Sequence, residues 1–316
     1  NSTIGIGYSA LTSLTTGAQN VAVGYTALDA LTTGGENTAI GYNAGGNFNT
    51  ESGNTIIGSD AMSGAHSAAY CVAIGMQALD GAVTQDGTVA IGTSALGALT
   101  TGLGNTAVGY QASKGIIDGA GNTVIGYNAL GGTLGTTADA SNNNIAVGNS
   151  AMGGDFHDSV SSKCIVIGGG AMIGALQSQL GTIAIGHDSL AALTSGLGNT
   201  AVGTSALVAT ATGANNTAVG NSALLTNIDG SANTAMGADA LYTFEADSAG
   251  HGENTAVGYR AGKFISTGTN NTFVGSDAGV GITGTPITGN MNTALGFEAG
   301  LELEGAAHSN TFVGNN

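Results

Sequence analysis

Positive charge is almost missing from this chain. Lys and Arg together number 4 among 316 residues, against 20 Asp plus Glu, for a formal charge of −16. With no basic stripe to neutralise phosphates, a nucleic-acid partner does not fit. Charge of either sign is scarce too, at 8% of residues, against roughly 25% in ordinary globular domains. There is no Trp, one Pro and only 5% aromatic residues, so a single large Leu/Phe core is out of reach. No run of 18 apolar residues occurs, which excludes a membrane-spanning helix and predicts no membrane insertion. The chain opens and closes inside similar strings, NSTIGIG and NTFVGNN. That reads as one segment of a longer polypeptide or a subunit with open ends.

What the chain has instead is Gly, 57 residues of it, and repetition. NTAVGYQA at Asn105 returns as NTAVGTSA at Asn199, NTAVGNSA at Asn216 and NTAVGYRA at Asn254. Taking the Gly of each such string as an anchor gives 18 units, from Gly7 to Gly314. The first seven spacings are all 17 residues, and later ones range from 17 to 22. Self-similarity at this period marks a stacked repeat architecture, with extra residues leaving one corner as loops.

The columns of the alignment carry the fold. The residue before each anchor is Val, Ile, Leu or Met, and the residue three before is always β-branched. Apolar residues at alternate positions are a strand signal. Three after the anchor stands Ala in 16 of 17 complete units, usually followed by Leu or Met and often by L-T-T-G. Each unit therefore reads as a short strand, a Gly corner, an Ala-Leu step, a second short extended piece and a turn. The expected fold is all-β: a parallel β-solenoid or β-roll of about 18 coils with a 17-residue repeat, the coils about 4.8 Å apart. It is expected to be one continuous rod over residues 1–316, with regular coils over 1–126 and longer corner loops over 127–186 and 238–316. Gly24, Gly41, Gly109, Gly203 and Gly220 are expected at a corner that needs φ > 0 or has a wall too close for a Cβ.

The column two before the anchor is Ala in 12 of 18 units and polar in none. Alternation sets it opposite the Val/Ile column, so the strand is apolar on both faces, as in a covered parallel sheet. On this reading the Val/Ile column closes the coil's own core. The Ala column meets another chain in an intertwined or side-by-side homotrimer.

Asn lies four before the anchor in 13 of 18 units, including Asn20, Asn37, Asn105, Asn199 and Asn216. Stacked amides in such a column can satisfy one another and the turn backbone as a ladder. Cys71 and Cys164 occupy the same column five units apart. That is on the order of 24 Å, beyond disulfide reach, so both are expected as small buried substitutes for Asn. A bond between chains is the alternative.

The string N-T-A-[VI]-G-Y-x-A-L followed by T-T-G resembles repeats of phage tail-fibre proteins. It is also similar to the looser S-V-A-I-G repeats in the heads of trimeric autotransporter adhesins, whose period is shorter. The resemblance covers nearly the whole chain. It implies a trimeric, elongated structural protein outside the cell or on the virion surface. Such a protein serves in host recognition or adhesion, as a rigid spacer or by presenting a receptor-binding surface. A bacterial surface adhesin or a self-assembling extracellular filament, stacking head to tail, is the alternative. An ice-binding solenoid would need an outward Thr array, and here the Thr column is expected to face inward.

Sites are sparse. Tyr8, Tyr25 and Tyr42 follow three successive anchors, where they can contact a glycan or pack against the next corner. Carboxylates recur two after the anchor (Asp60, Asp188, Asp239, Asp277, Glu298) and in longer loops (Asp155, Asp158, Glu302, Glu304). No calcium-loop pattern organises them, so they read as solvated charge. The histidines (His66, His157, His187, His251, His308) lack metal-ligand spacing. No nucleophile elbow or Cys-His couple occurs. No enzyme, cofactor or metal site is expected. The expected partners are other copies of this chain and a cell-surface glycan or protein receptor.

Overall fold

A computed structural model describes residues 2–64, 66–132, 141–154, 160–245 and 252–315. It is a parallel β-solenoid that divides into two compact units, Asn1–Ser162 and Lys163–Asn316. Asp155, Asp158, His157 and His251 lie outside the described residues.

Among the described residues the first unit holds nine strands: β1 (Ile4–Ile6), β2 (Val21–Val23), β3 (Thr38–Ile40), β4 (Thr55–Ile57), β5 (Val72–Ile74), β6 (Val89–Ile91), β7 (Thr106–Val108), β8 (Thr123–Ile125) and β9 (Ile145–Val147). The second holds β10 (Ile165–Ile167), β11 (Ile183–Ile185), β12 (Thr200–Val202), β13 (Thr217–Val219), β14 (Thr234–Met236), β15 (Thr255–Val257), β16 (Thr272–Val274), β17 (Thr293–Leu295) and β18 (Thr311–Val313). Within each unit every strand pairs in parallel with the next, column on column. Thr38, Ala39 and Ile40 face Thr55, Ile56 and Ile57, and Thr200, Ala201 and Val202 face Thr217, Ala218 and Val219.

Among the described residues each coil has one strand, not two. The second extended piece that the sequence suggests is a run of bends and turns. It still stacks through backbone hydrogen bonds, as from the Thr15 N–H to the Thr32 carbonyl at 2.8 Å. The rest of the coil is bent by residues in the left-handed region. In the second coil these are Gln19, Thr26 and Leu28, with φ of 60°, 50° and 49°. Leu28 is fully buried, so core packing and ladder bonds offset the cost of that conformation.

Burial reverses the expected inside and outside of the strand. The Ala column is the interior. Ala22, Ala39, Ala73, Ala90, Ala184, Ala201, Ala218, Ala235, Ala256 and Ala294 are each 0% exposed within a single chain. They pack against the coil's opposite wall, which in the second coil is Ala27, Leu28 and Leu31, all fully buried. The Thr/Val/Ile columns flanking each Ala point outward and are half-buried or exposed. The reason is width. A coil of 17 residues closes so tightly that a strand residue meets Leu from the facing wall, and close packing leaves it little more than a methyl group.

The large exceptions follow the same rule. Ile56 and Phe273 stand in the Ala column. A Cβ on Gly45 would come within 3.0 Å of Ile56, and one on Gly262 or Gly279 within 2.8 or 2.4 Å of the Phe273 ring. Those glycines replace the Leu of the facing wall, and the larger strand residue fills the space left.

Candidate functional surface on the outer face of the sheet

The anchor glycines set this face. Gly24, Gly41, Gly109, Gly203 and Gly220 have φ of 149°, 143°, 140°, 139° and 144°. A Cβ on Gly109 would stand 2.3 Å from the carbonyl oxygen of Gly126 in the next coil. Backbone conformation and stacking distance both demand Gly, and the chain can turn there only in register with its neighbour.

The Asn column locks the other end of most strands from inside. The backbone N–H and Nδ2 of Asn37 both donate to Oδ1 of Asn20, at 3.0 and 3.1 Å, and Nδ2 also donates to the Glu51 carbonyl at 2.8 Å. Asn122 repeats this on Asn105, at 3.0 and 3.1 Å. In the second unit the Asn216 N–H donates to Asn199 Oδ1 at 2.9 Å, and Asn233 donates to Asn216 Oδ1 from N–H and Nδ2, both at 3.0 Å. These buried amides are satisfied within the chain, so the ladder positions the strand and offers nothing to a ligand.

Cys71 enters that ladder through its backbone, donating to Asn54 Oδ1 at 2.9 Å. Cys71 and Cys164 are reduced and fully buried in their own coils. Burial raises both thiols above the usual range, Cys164 to about 11. Neither sulfur lies on an outer face, so the interchain disulfide considered from the sequence is not supported by their placement.

Between these two locks, each strand projects its first and third residues outward. In 18 strands those 36 positions carry no charged residue. Thr holds the first position in 11 strands, including all seven from Thr200 to Thr311, and an aliphatic residue or Met holds every third position. The face is uncovered. Ile6 is 59% exposed and Ile40 40%, with Ile125, Met236 and Leu295 similar.

The Tyr column borders this face. Tyr8, Tyr25 and Tyr42 form one stack, with centroids 5.0 and 5.4 Å apart and planes within 13°. Tyr110 and Tyr127 form another at 5.2 Å. The rings remain about half exposed or more, but their faces are turned to one another. A sugar ring would meet the edge of the ladder, or the outer faces of Tyr8 and Tyr42.

The charged groups lie elsewhere on the coil. Asp60 accepts hydrogen bonds from Asn43 Nδ2 at 3.1 Å and Ser59 Oγ at 3.0 Å. Asp239 pairs with Lys263 at 2.8 Å, and Asp277 with Arg260 at 3.4 Å. Lys263 also lies 5.2 Å from the Tyr242 ring centroid. His187 contacts Asp188 at 3.0 Å, and His308 Nδ1 accepts the Asn290 N–H at 2.9 Å. Among the described residues no three His, Cys, Asp or Glu side chains converge as metal ligands, and no helix is long and apolar enough to cross a membrane.

Comparison with known proteins adds no kinship. No family model matches the chain, and no curated protein matches it significantly.

Proposed function

We propose that this chain is a structural segment of an extracellular fibre used in host recognition or adhesion, most like a phage tail fibre. We propose that it assembles with two further copies through the outer face of its sheet. The observation that carries this reading is the uncharged, largely apolar face left open along a parallel sheet. Parallel sheets are almost always covered on both faces. A second copy suits the face because the acids of this −16 chain all lie off its two outward columns. Copies meeting there bring apolar columns together and keep like charges at the periphery. Three copies around an axis are what the resemblance to fibre repeats implies. Such a segment acts by reach, stiffness and multivalency, holding receptor-binding surfaces or tips away from the cell or virion.

The mass of the purified protein by light scattering tests this. Three times 30.3 kDa supports the reading, and 30.3 kDa at all concentrations removes it. A mass that grows with concentration favours the filament alternative.

One observation favours a second reading. The Thr column faces outward, in seven successive strands of the second unit, so the objection to an ice-binding face falls. β-Branched side chains on a regular sheet are rigid and evenly spaced. A monomer that shows thermal hysteresis in freezing assays would select this reading.

A further inference from the structure

Beyond the assembly surface, the interior of the first unit holds one titratable group that stacking does not explain. His66 is 7% exposed, among coils whose interior is mostly apolar side chains and the Asn ladder. Its Nδ1 accepts the backbone N–H of Val83 at 3.2 Å. The same N–H also donates to the Gly81 carbonyl at 3.0 Å. The ladder bond of this corner, from the lower coil's N–H to the upper coil's carbonyl, is kept from Ser67 to Val83 at 3.1 Å, and the imidazole adds a side-chain tie between the fourth and fifth coils. Among the described residues its Nε2 is buried without a hydrogen-bond partner, and the Phe48 ring of the coil below packs edge-on at 5.7 Å.

We propose that His66 is an acid-sensitive latch between these two coils. Protonation puts a hydrogen on both ring nitrogens, and imidazolium has no lone pair to accept with. The Val83 N–H then loses its tie to the coil below and keeps only the Gly81 carbonyl, and a charge appears in an apolar pocket. Each outcome is costly inside a protein, and together they favour opening of this corner.

No neighbouring carboxylate offsets the charge. Glu51, in the coil below, accepts the amides of Asn49 and Thr50. Asp80 and Asp86, in the coil above, accept the Ser63 hydroxyl at 2.6 Å and the Ala69 amide at 2.8 Å. Among the described residues none pairs with His66. Burial accordingly lowers the imidazole from 6.5 to about 4. The sign follows: the neutral form belongs to the closed coil. The latch holds fully above about pH 6.5 and is lost as pH falls toward 4.

The test is amide exchange at Val83 in the intact protein, expressed as protection relative to the intrinsic rate at each pH. In the wild type, protection at Val83 is expected to fall at least tenfold from pH 7 to pH 4.5. Protection in the Asn ladder of the second unit should hold over the same range. His66→Gln, which keeps an acceptor but cannot titrate, should abolish the fall. Unchanged protection in the wild type, or an equal fall in His66→Gln, overturns the proposal. Should His66→Gln fail to fold, a titration of the wild-type imidazole by NMR decides. A midpoint near 6.5, unlinked to Val83, also overturns it.

Discussion

The ring of Phe273 occupies the place that side chains on Gly262 and Gly279 would take. A Cβ on Gly279 would stand 2.4 Å from that ring, and one on Gly262 2.8 Å. Large and small have exchanged walls across the coil. Phe273→Ala alone should leave a cavity and cost about 3–5 kcal/mol. Adding Gly262→Leu and Gly279→Leu, which restores the commoner pattern of Ala facing Leu, should recover most of that loss. Chemical denaturation of the single, double and triple variants measures the coupling, and simple additivity would refute the exchange.

Gly109→Ala should be among the most damaging single substitutions. It puts a methyl group against the Gly126 carbonyl, at a φ of 140°. Strained backbone and an overpacked wall together cost roughly 2–5 kcal/mol. Gly104, where a Cβ would meet nothing within 4 Å, provides the control. Gly104→Asn should cost under about 1 kcal/mol, since Asn tolerates the left-handed region. Thermal unfolding of the two variants separates them.

Asn37→Ala strands the Asn54 N–H, which donates to Asn37 Oδ1 at 3.0 Å, and the Glu51 carbonyl, which accepts Asn37 Nδ2 at 2.8 Å, and it takes one acceptor from Asn54 Nδ2. Several buried polar atoms lose partners at once, so a loss of about 2–4 kcal/mol is expected. Asn37→Asp should also destabilise at neutral pH, because a carboxylate cannot donate to the Glu51 carbonyl. It should recover part of the loss in acid as it protonates. A flat pH profile for Asn37→Asp would count against the ladder.

Assembly and folding should respond to different columns. Ile40→Lys and Val202→Lys change outward residues and should abolish association while leaving the monomer's circular dichroism unchanged. Ala201→Leu overpacks the coil interior and should destabilise the fold by about 1–3 kcal/mol. Because each copy carries −16, raising ionic strength should strengthen association of the wild type. Light scattering across a salt series checks both points.

The thiols should be silent in the folded protein. Burial and the upward shift at Cys71 and Cys164 leave little thiolate at pH 8. A thiol reagent should label neither residue until denaturant is added. Fast labelling of the native protein would mean that the coils open there.

Most of the architecture is legible in the sequence because each column states one requirement. The anchor Gly states the corner and the β-branched pair states the strand. The inside and outside of that strand are not legible from alternation. Ala and Val/Ile are both apolar, and a period of two distinguishes faces without naming them. The deciding quantity is the width of the coil, which appears only when the chain closes on Leu28 and Leu31. One signal was present in the letters. The bulky members of the Ala column, Ile56, Phe273 and Phe312, stand near Gly45, Gly262, Gly279 and Gly300, where Leu is otherwise usual. Residues that trade volume face each other inside, which assigns Ala to the core. The left-handed residues were less legible, because Thr26 and Leu28 carry no intrinsic preference for that conformation. Stacking imposes it.

The registered ladders have a consequence for how such a gene can change. Gly203 stacks on Gly220 and Gly220 on Gly237, each set against the carbonyl of the coil above. Removing residues 204–220 would seat Gly203 against Gly237, Ala201 against Ala235 and Asn199 against Asn233, each column again meeting its own kind. In a stack of this kind, length is an inheritable dial. Recombination can lengthen or shorten the chain by whole coils while the fold stays the same.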